Sequence, residues 1–290
     1  MSDISGTTSG INIDHTELWS LELHITGEQL KVLLYSKAQA NSLITRTLAL
    51  DLSTGSQLKA VEAAVYDNQL LLSEFKEVSV VVDSRHFVLL PPDFSADDAA
   101  APDGTSSAQA ALDAAFGTNG NADVECAFCQ MPRCAAAVAF EAPKGLDAFL
   151  RRTFFQPRVV HRLYPLCEHF ARLNEGSGMS RLHINYDPDG QTMDLAAFSH
   201  GRLAMANTFT FRSPADAAFY ALHAWSSLGF DSLNDEVQIT GIRTMREATA
   251  PMLRKYVSYV MPAIFPAAAL RIGHDAVNAP LELILLALCE

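Results

Sequence analysis

The chain has 290 residues, 49% of them hydrophobic and 19% charged, a balance that belongs to folded globular proteins and excludes intrinsic disorder. Its formal net charge is −12, with 33 acidic residues and no block of Lys or Arg, which argues against a general binder of nucleic acid or anionic membrane. Two domains of ordinary size fit this length, and five cysteines at uneven spacing suit reduced thiols better than a disulfide framework.

Residues 1–16 are polar, lack the basic and apolar regions of a secretory signal, and read as a flexible tail. From Trp19 to Thr26, apolar Trp19, Leu21, Leu23 and Ile25 alternate with polar residues, and Thr26-Gly27-Glu28 turns the chain into Leu30 to Tyr35 as a β-hairpin. Leu43 to Leu52 continues as a third strand, Leu58 to Phe75 has helical spacing, and Val78 to Val82 and Phe87 to Leu90 are short strands stopped by Pro91-Pro92. Ser95 to Ala122 is rich in Ala, Asp, Gly, Ser and Thr, which predicts a surface insertion with one helical stretch at Ala108 to Phe116. Val124 to Met131 and Ala135 to Glu141 are extended, Leu146 to Thr153 helical, Arg158 to Arg162 extended, and Leu166 to Leu173 helical. Glu175 to Gly178, sequence EGSG, has linker composition, so the expected domains are 17–175 and 179–290.

Beyond the linker, Leu182 to Tyr186 and Met193 to Phe198 form a hairpin around Asp187-Pro188-Asp189-Gly190. Arg202 to Arg212 is β-branched and aromatic and predicts a mostly buried strand. Ser213 then supplies an N-cap hydroxyl, Pro214 presets the first helical φ, and Asp216 complements the free N–H groups of a helix that Gly229 closes. Val237 to Gly241 is the next strand, Ala248 to Met261 a helix, Ala268 to Ile272 a short strand and Leu281 to Cys289 a terminal helix. Strand-strand-strand-helix-strand therefore occurs twice, in Trp19 to Val82 and in Leu182 to Ile242, an internal repeat of element order with negligible residue identity. The longest apolar runs are shorter than a bilayer span, so a soluble cytoplasmic protein is expected.

The sequence contains few groups arranged for chemistry. Cys126-Ala127-Phe128-Cys129, with Cys134 nearby, has a spacing that holds zinc on a tight knuckle, but zinc takes four ligands and an extended segment puts Cys126 and Cys129 on opposite faces. Buried, inert thiols are the expectation, with these three cysteines as the metal candidates. The nine histidines form neither HExxH nor a partner set for a GxSxG elbow. Arg151, Arg152, Arg243, Arg246, Arg254 and Lys255 are expected as solvated helix and loop charges, although Arg243 and Arg246, directly after Gly241, could face a cleft anion. Tyr256, Tyr259 and Phe265 are expected to pack rather than to form a stacking platform.

A duplicated three-strand hairpin sheet with a helix is the core order of the actin-like ATPases, in which the first hairpin of each half grips nucleotide phosphates. The duplication therefore makes the two hairpin turns the nucleotide candidates: Gly27 in the first half, and Asp189, Gly190 and Thr192 in the second, with Gly241 near the base. Glycine lets backbone N–H groups approach phosphate, a hydroxyl adds a donor, and a carboxylate orients Mg²⁺ or its waters. Thr26-Gly27 lacks the Asp-x-Gly pattern, Asp189-Gly190-Gln191-Thr192 has the groups in a different order, and Ile242 stands where a paired glycine would follow Gly241.

Asn207-Thr208-Phe209-Thr210-Phe211 followed by Ser213, Asp216 and Tyr220, then Val237 to Gly241, resembles the domain of unknown function numbered 3822, as do Phe87 to Pro91, Arg158 to His161 and Lys255 to Val257. The resemblance implies a two-domain α/β fold of the actin-like ATPase, or ribonuclease H-like, type, with two mixed sheets, flanking helices and a cleft, and it implies no established activity. The leading expectation is a catalytically degenerate actin-like binding or scaffold module, similar in architecture to pilus-assembly actin-like proteins, with a protein partner and no cofactor. The alternative is a nucleotide-binding ATPase or kinase-like enzyme that uses ATP and Mg²⁺ through noncanonical phosphate loops.

Overall fold

In the computed structural model the described residues are 13–94, 106–117, 123–188 and 191–288. The chain divides into two compact units. The first holds residues up to 130 together with 137–162 and 267–279; the second holds 131–136, 163–266 and the residues from 280 on. The linker at 175–178 thus lies inside the second unit.

The first unit is built on β1 (Ser20–Ile25), β2 (Gln29–Tyr35), β3 (Ile44–Ala49), β4 (Glu77–Val82) and β8 (Arg158–His161), in the order β3-β2-β1-β4-β8. Neighbours β3-β2 and β2-β1 run antiparallel, and β1-β4 and β4-β8 parallel. Helix α1 (Gln57–Tyr66) ends well before Phe75, because Asn68 turns its amide back onto the Ala64 carbonyl at 2.6 Å and a 3-10 turn at Gln69–Leu72 follows. Between β4 and β8 stand β5 (Phe87–Leu90), α2 (Ser107–Phe116), β6 (Val124–Met131), β7 (Ala136–Pro143) and α3 (Leu146–Thr153). The three strands make a separate sheet, β5-β7-β6, and Leu90, Ala108, Leu112, Ala137 and Ala139 form a small core between it and α2. The helical stretch expected in the Ala-rich segment is α2, capped where the Ser106 hydroxyl accepts from Gln109 N–H at 3.2 Å; the rest of that insertion lies outside the described residues.

The second unit repeats the plan. Strands β9 (Arg181–Tyr186), β10 (Thr192–Ser199), β11 (Arg202–Thr210), β12 (Glu236–Gly241) and β13 (Tyr259–Pro262) are ordered β11-β10-β9-β12-β13, with the same antiparallel, antiparallel, parallel, parallel sequence of pairings. Helix α5 (Pro214–Ser227) joins β11 to β12, and α6 (Arg243–Leu253) joins β12 to β13. Both halves of the capping box form: the Ser213 hydroxyl accepts from Asp216 N–H at 3.2 Å, and the Asp216 carboxylate accepts from Ser213 N–H at 3.1 Å. Leu182, Ile184, Tyr186, Met193, Leu195, Val237 and Ile239 turn one sheet face to Ala217, Ala221, Trp225 and Leu253, forming the core. Helix α4 (Leu163–Asn174) packs on the opposite face and against α8 (Leu281–Leu288).

Three sequence expectations are corrected. Strand β11 is an edge, so most of it is exposed or half-exposed rather than buried. The helix expected over Ala248 to Met261 is displaced: α6 starts at Arg243 and stops at Leu253, and Tyr259–Pro262 pairs in parallel with β12, since ladder bonds to a neighbouring strand outweigh weak helical spacing. Ala268 to Ile272 is not a strand but contains the short helix α7 (Ala269–Ile272), consistent with its alanines.

Candidate functional site

Alternation along β9 sends Leu182, Ile184 and Tyr186 to the core and His183, Asn185 and Asp187 to the other face. The same alternation puts Asp194 of β10 on that face. Registration lines up one polar residue per strand: Thr208 opposite Asp194, Asp194 opposite Asn185, and Asn185 opposite Thr240. The row is closed by hydrogen bonds. Thr208 Oγ1 donates to Asp194 Oδ1 at 2.8 Å, Asn185 Nδ2 donates to Asp194 Oδ2 at 3.3 Å, and Thr240 Oγ1 lies 3.1 Å from Asn185 Oδ1 and 3.0 Å from the Ile184 carbonyl. Asp194 and Asn185 are buried, so the ladder satisfies groups that would otherwise be costly to desolvate.

One register step from this ladder is a buried histidine. His183 stacks on Phe170 of α4 with ring centroids 4.1 Å apart and meets Phe198 edge-on. Arg181 Nη1 donates to Asn174 Oδ1 at 3.2 Å, which turns Asn174 Nδ2 toward His183 Nε2 at 2.7 Å and leaves the imidazole proton on Nδ1. Burial pushes the His183 pKa down to about 3, so the ring is neutral at physiological pH.

In the first unit the polar group stands at the carboxyl ends of the parallel strands. Arg162, almost fully buried, puts Nη1 3.1 Å from Asp83 Oδ2. Burial pushes the Asp83 carboxyl up, but the Arg162 charge, the neighbouring His24, the Arg162 hydrogen bond and His161 together outweigh it and hold the group below its usual range. His161 Nε2 lies 2.9 Å from the Ser84 carbonyl, which fixes this nitrogen as the donor, and burial pushes its pKa down to about 4. Glu22 is also buried; desolvation pushes its carboxyl well up against a hydrogen bond from Tyr35.

The nucleotide candidates are distributed as follows. Gly27 lies in the β1–β2 turn of the first unit, outside the left-handed region, with open space where a Cβ would stand. Its neighbour Thr26 exchanges hydrogen bonds with the Gln29 backbone through its own hydroxyl. Thr192 and Gly241 share the second unit and flank the end of β9: the Thr192 carbonyl accepts from Asp187 N–H at 3.1 Å, and Gly241 pairs with Tyr186. Asp189 and Gly190 lie outside the described residues. Gly241 has φ 84°, and a Cβ there would stand 1.9 Å from the Tyr186 carbonyl oxygen. Close approach of two backbones therefore demands glycine at this position. The following Ile242 N–H donates to the same oxygen at 3.2 Å.

Cys126 and Cys129 lie on one strand, β6, three residues apart, and burial pushes the Cys126 thiol up to about 11. Cys126 packs against the small α2 core, while Cys134 belongs to the other unit, where burial and Glu168 push its thiol up. Among the described residues no three His, Cys, Asp or Glu side chains group as metal ligands, and no helix is long and apolar enough to cross a membrane. The sequence reading gave no site role to Asn185, Asp194, Thr208 or Thr240. Polar alternation is visible in β9 and β12, whereas Asp194 and Thr208 have apolar residues beside them on their faces of β10 and β11, and only the strand registers bring the four together.

No curated protein matches the sequence. Among solved structures, a Bacteroides thetaiotaomicron protein described as having an actin-like ATPase fold and unknown function superposes with a TM-score of 0.71 at 16% identity, covering 94% of this chain and 98% of that one. A chain of the PilM–PilN type IV pilus biogenesis complex superposes with a TM-score of 0.50 at 15% identity, covering 93% and 98%. The two sheets of identical order thus form a duplicated actin-like ATPase fold. The model of a family described as protein of unknown function, DUF3822, matches residues 8–260, and the chain belongs to that family.

Proposed function

We propose that this protein is a catalytically degenerate actin-like module that binds a protein partner. The observation that carries the reading is the closed ladder at the β9–β10–β12 end. Asp194 is buried and each of its oxygens accepts a hydrogen bond, one from Thr208 and one from Asn185, so this carboxylate ties neighbouring strands together. The Gly241 backbone is packed on Tyr186, and the Thr26 hydroxyl closes its own hairpin. Among the described candidates, Gly241 is thus committed to strand packing and the Thr26 hydroxyl to its own turn, which speaks against the phosphate contacts that the fold family would imply. Support for a protein partner comes from the PilM–PilN type IV pilus biogenesis complex, one chain of which has this fold. A place in the cytoplasm agrees with this reading.

Thermal unfolding with and without millimolar Mg-ATP tests it. A ligand at about a hundred times its dissociation constant adds roughly 2.7 kcal/mol to stability, so a bound nucleotide would raise Tm. The expected result is an unchanged Tm and no phosphate release. A raised Tm that Asp189→Ala abolishes would establish the nucleotide-binding alternative instead.

A further inference from the structure

The second unit contains a groove outside the polar ladder. It is an open depression of about 510 Å³ between α6 and the edge strand β13, within the size range of ligand pockets. Its basic wall is Arg243, Arg246 and Arg254, opposed by the single acid Glu247; Ala250, Pro251 and Met261 contribute its apolar surface. Three cations against one anion, on a chain whose net charge is −12, is a local reversal of sign.

The arginines keep donors in hand. A guanidinium has five N–H groups. Arg243 places Nε 2.6 Å from Glu247 Oε1, and Arg254 gives Nη2 to the Val260 carbonyl at 3.0 Å. Arg246 has its Nε buried with no hydrogen-bond partner among the described residues. Beside the groove the surface is apolar: Tyr256, Tyr259, Met261 and Ile264 are all more than half exposed, within nine residues of chain. The expectation that Tyr256 and Tyr259 pack inside is therefore corrected. Exposed apolar side chains gathered beside a basic wall mark interaction surfaces.

From these features we infer that the α6–β13 groove receives an acidic segment of a partner protein, which sets carboxylates on Arg243, Arg246 and Arg254 and an apolar side chain against Met261. Charge complementarity selects the acidic chemistry, since Arg pairs carboxylates through its planar fork. The apolar floor selects a peptide over a bare anion. Simple strand addition to β13 is disfavoured, because Arg254 already occupies the Val260 carbonyl and Pro262 has no N–H to offer. The segment accordingly binds through its side chains, as in recognition by a helix or an irregular turn.

This inference rests on the reading of the chain as a protein-binding module and is tested separately from it. The full-length protein is titrated into a fluorescein-labelled twelve-residue peptide alternating glutamate pairs with leucine, and anisotropy is read at two salt concentrations. Saturable binding that weakens with salt is expected, with Arg246→Glu weakening it at least tenfold, Arg246→Lys retaining most of it, and Met261→Asp also weakening it. Circular dichroism and Tm establish that each variant is folded. A lysine-for-glutamate peptide that binds equally well, folded Arg246→Glu protein with unchanged affinity, no saturable binding at all, or tighter binding of a single-stranded oligonucleotide would each overturn the groove assignment. A Tm raised by Mg-ATP and lost in Asp189→Ala bears on the module reading alone.

Discussion

Two glycines that look alike in sequence differ sharply once their surroundings are known. Gly241 combines a left-handed φ of 84° with a neighbouring carbonyl oxygen 1.9 Å from the place of a Cβ, whereas Gly27 has neither constraint. A side chain in the left-handed region costs roughly 1–2 kcal/mol by itself, and relief of the clash requires β12 to move away from β9. Gly241→Ala is therefore expected to lower stability by about 3 kcal/mol or more, among the larger single-residue effects, while Gly27→Ala stays within about 0.5 kcal/mol. Urea unfolding of both variants measures the difference; equal values would contradict the assigned packing. Glycine at the end of a strand was visible in the sequence as a candidate for ligand approach, but the backbone that it actually approaches, Tyr186, lies 55 residues away along the chain.

Among the elements, α5 was the most legible, because Ser213, Pro214 and Asp216 act within one turn and need no distant partner. The capping box forms as its residue types require. Ser213→Ala removes the hydroxyl that accepts from Asp216 N–H, and a loss of about 1 kcal/mol is expected. Ser213→Asp keeps an acceptor and should recover most of that loss; chemical denaturation of the pair checks both. Strand β13 and helix α7 were not legible. Tyr259–Pro262 is only four residues long, and what makes it a strand is its parallel pairing with Glu236–Ile239. The small sheet β5-β7-β6 has a similar origin: its strands were recognisable as extended segments, but their pairing is a long-range choice.

Across the whole molecule, buried neutral histidines tie stability to pH. Burial lowers His183 to about 3 and both His161 and His169 to about 4, against an ordinary value of 6.5. Between those values the unfolded chain binds protons that the native chain does not, so stability rises with pH in this window and is lost as pH falls below about 6.5. Each group contributes up to about 1.4 kcal/mol per pH unit. Glu22 opposes them, since its raised pKa lets the native state hold a proton above the ordinary carboxyl value. Urea unfolding at pH 7, 6 and 5 is expected to show falling stability, with a shallower fall in His183→Gln; parallel curves for the two proteins would sink the assignment. The sequence by itself determined the α/β class, the twofold repeat of element order, the main cap and the family resemblance, because alternation, helical spacing and capping are local properties of the chain. Only the tertiary structure decided the shared strand order of the two sheets, the Thr208–Asp194–Asn185–Thr240 ladder and the basic groove beside β13. Each depends on register between segments far apart in sequence, where pairing and burial outweigh local propensity.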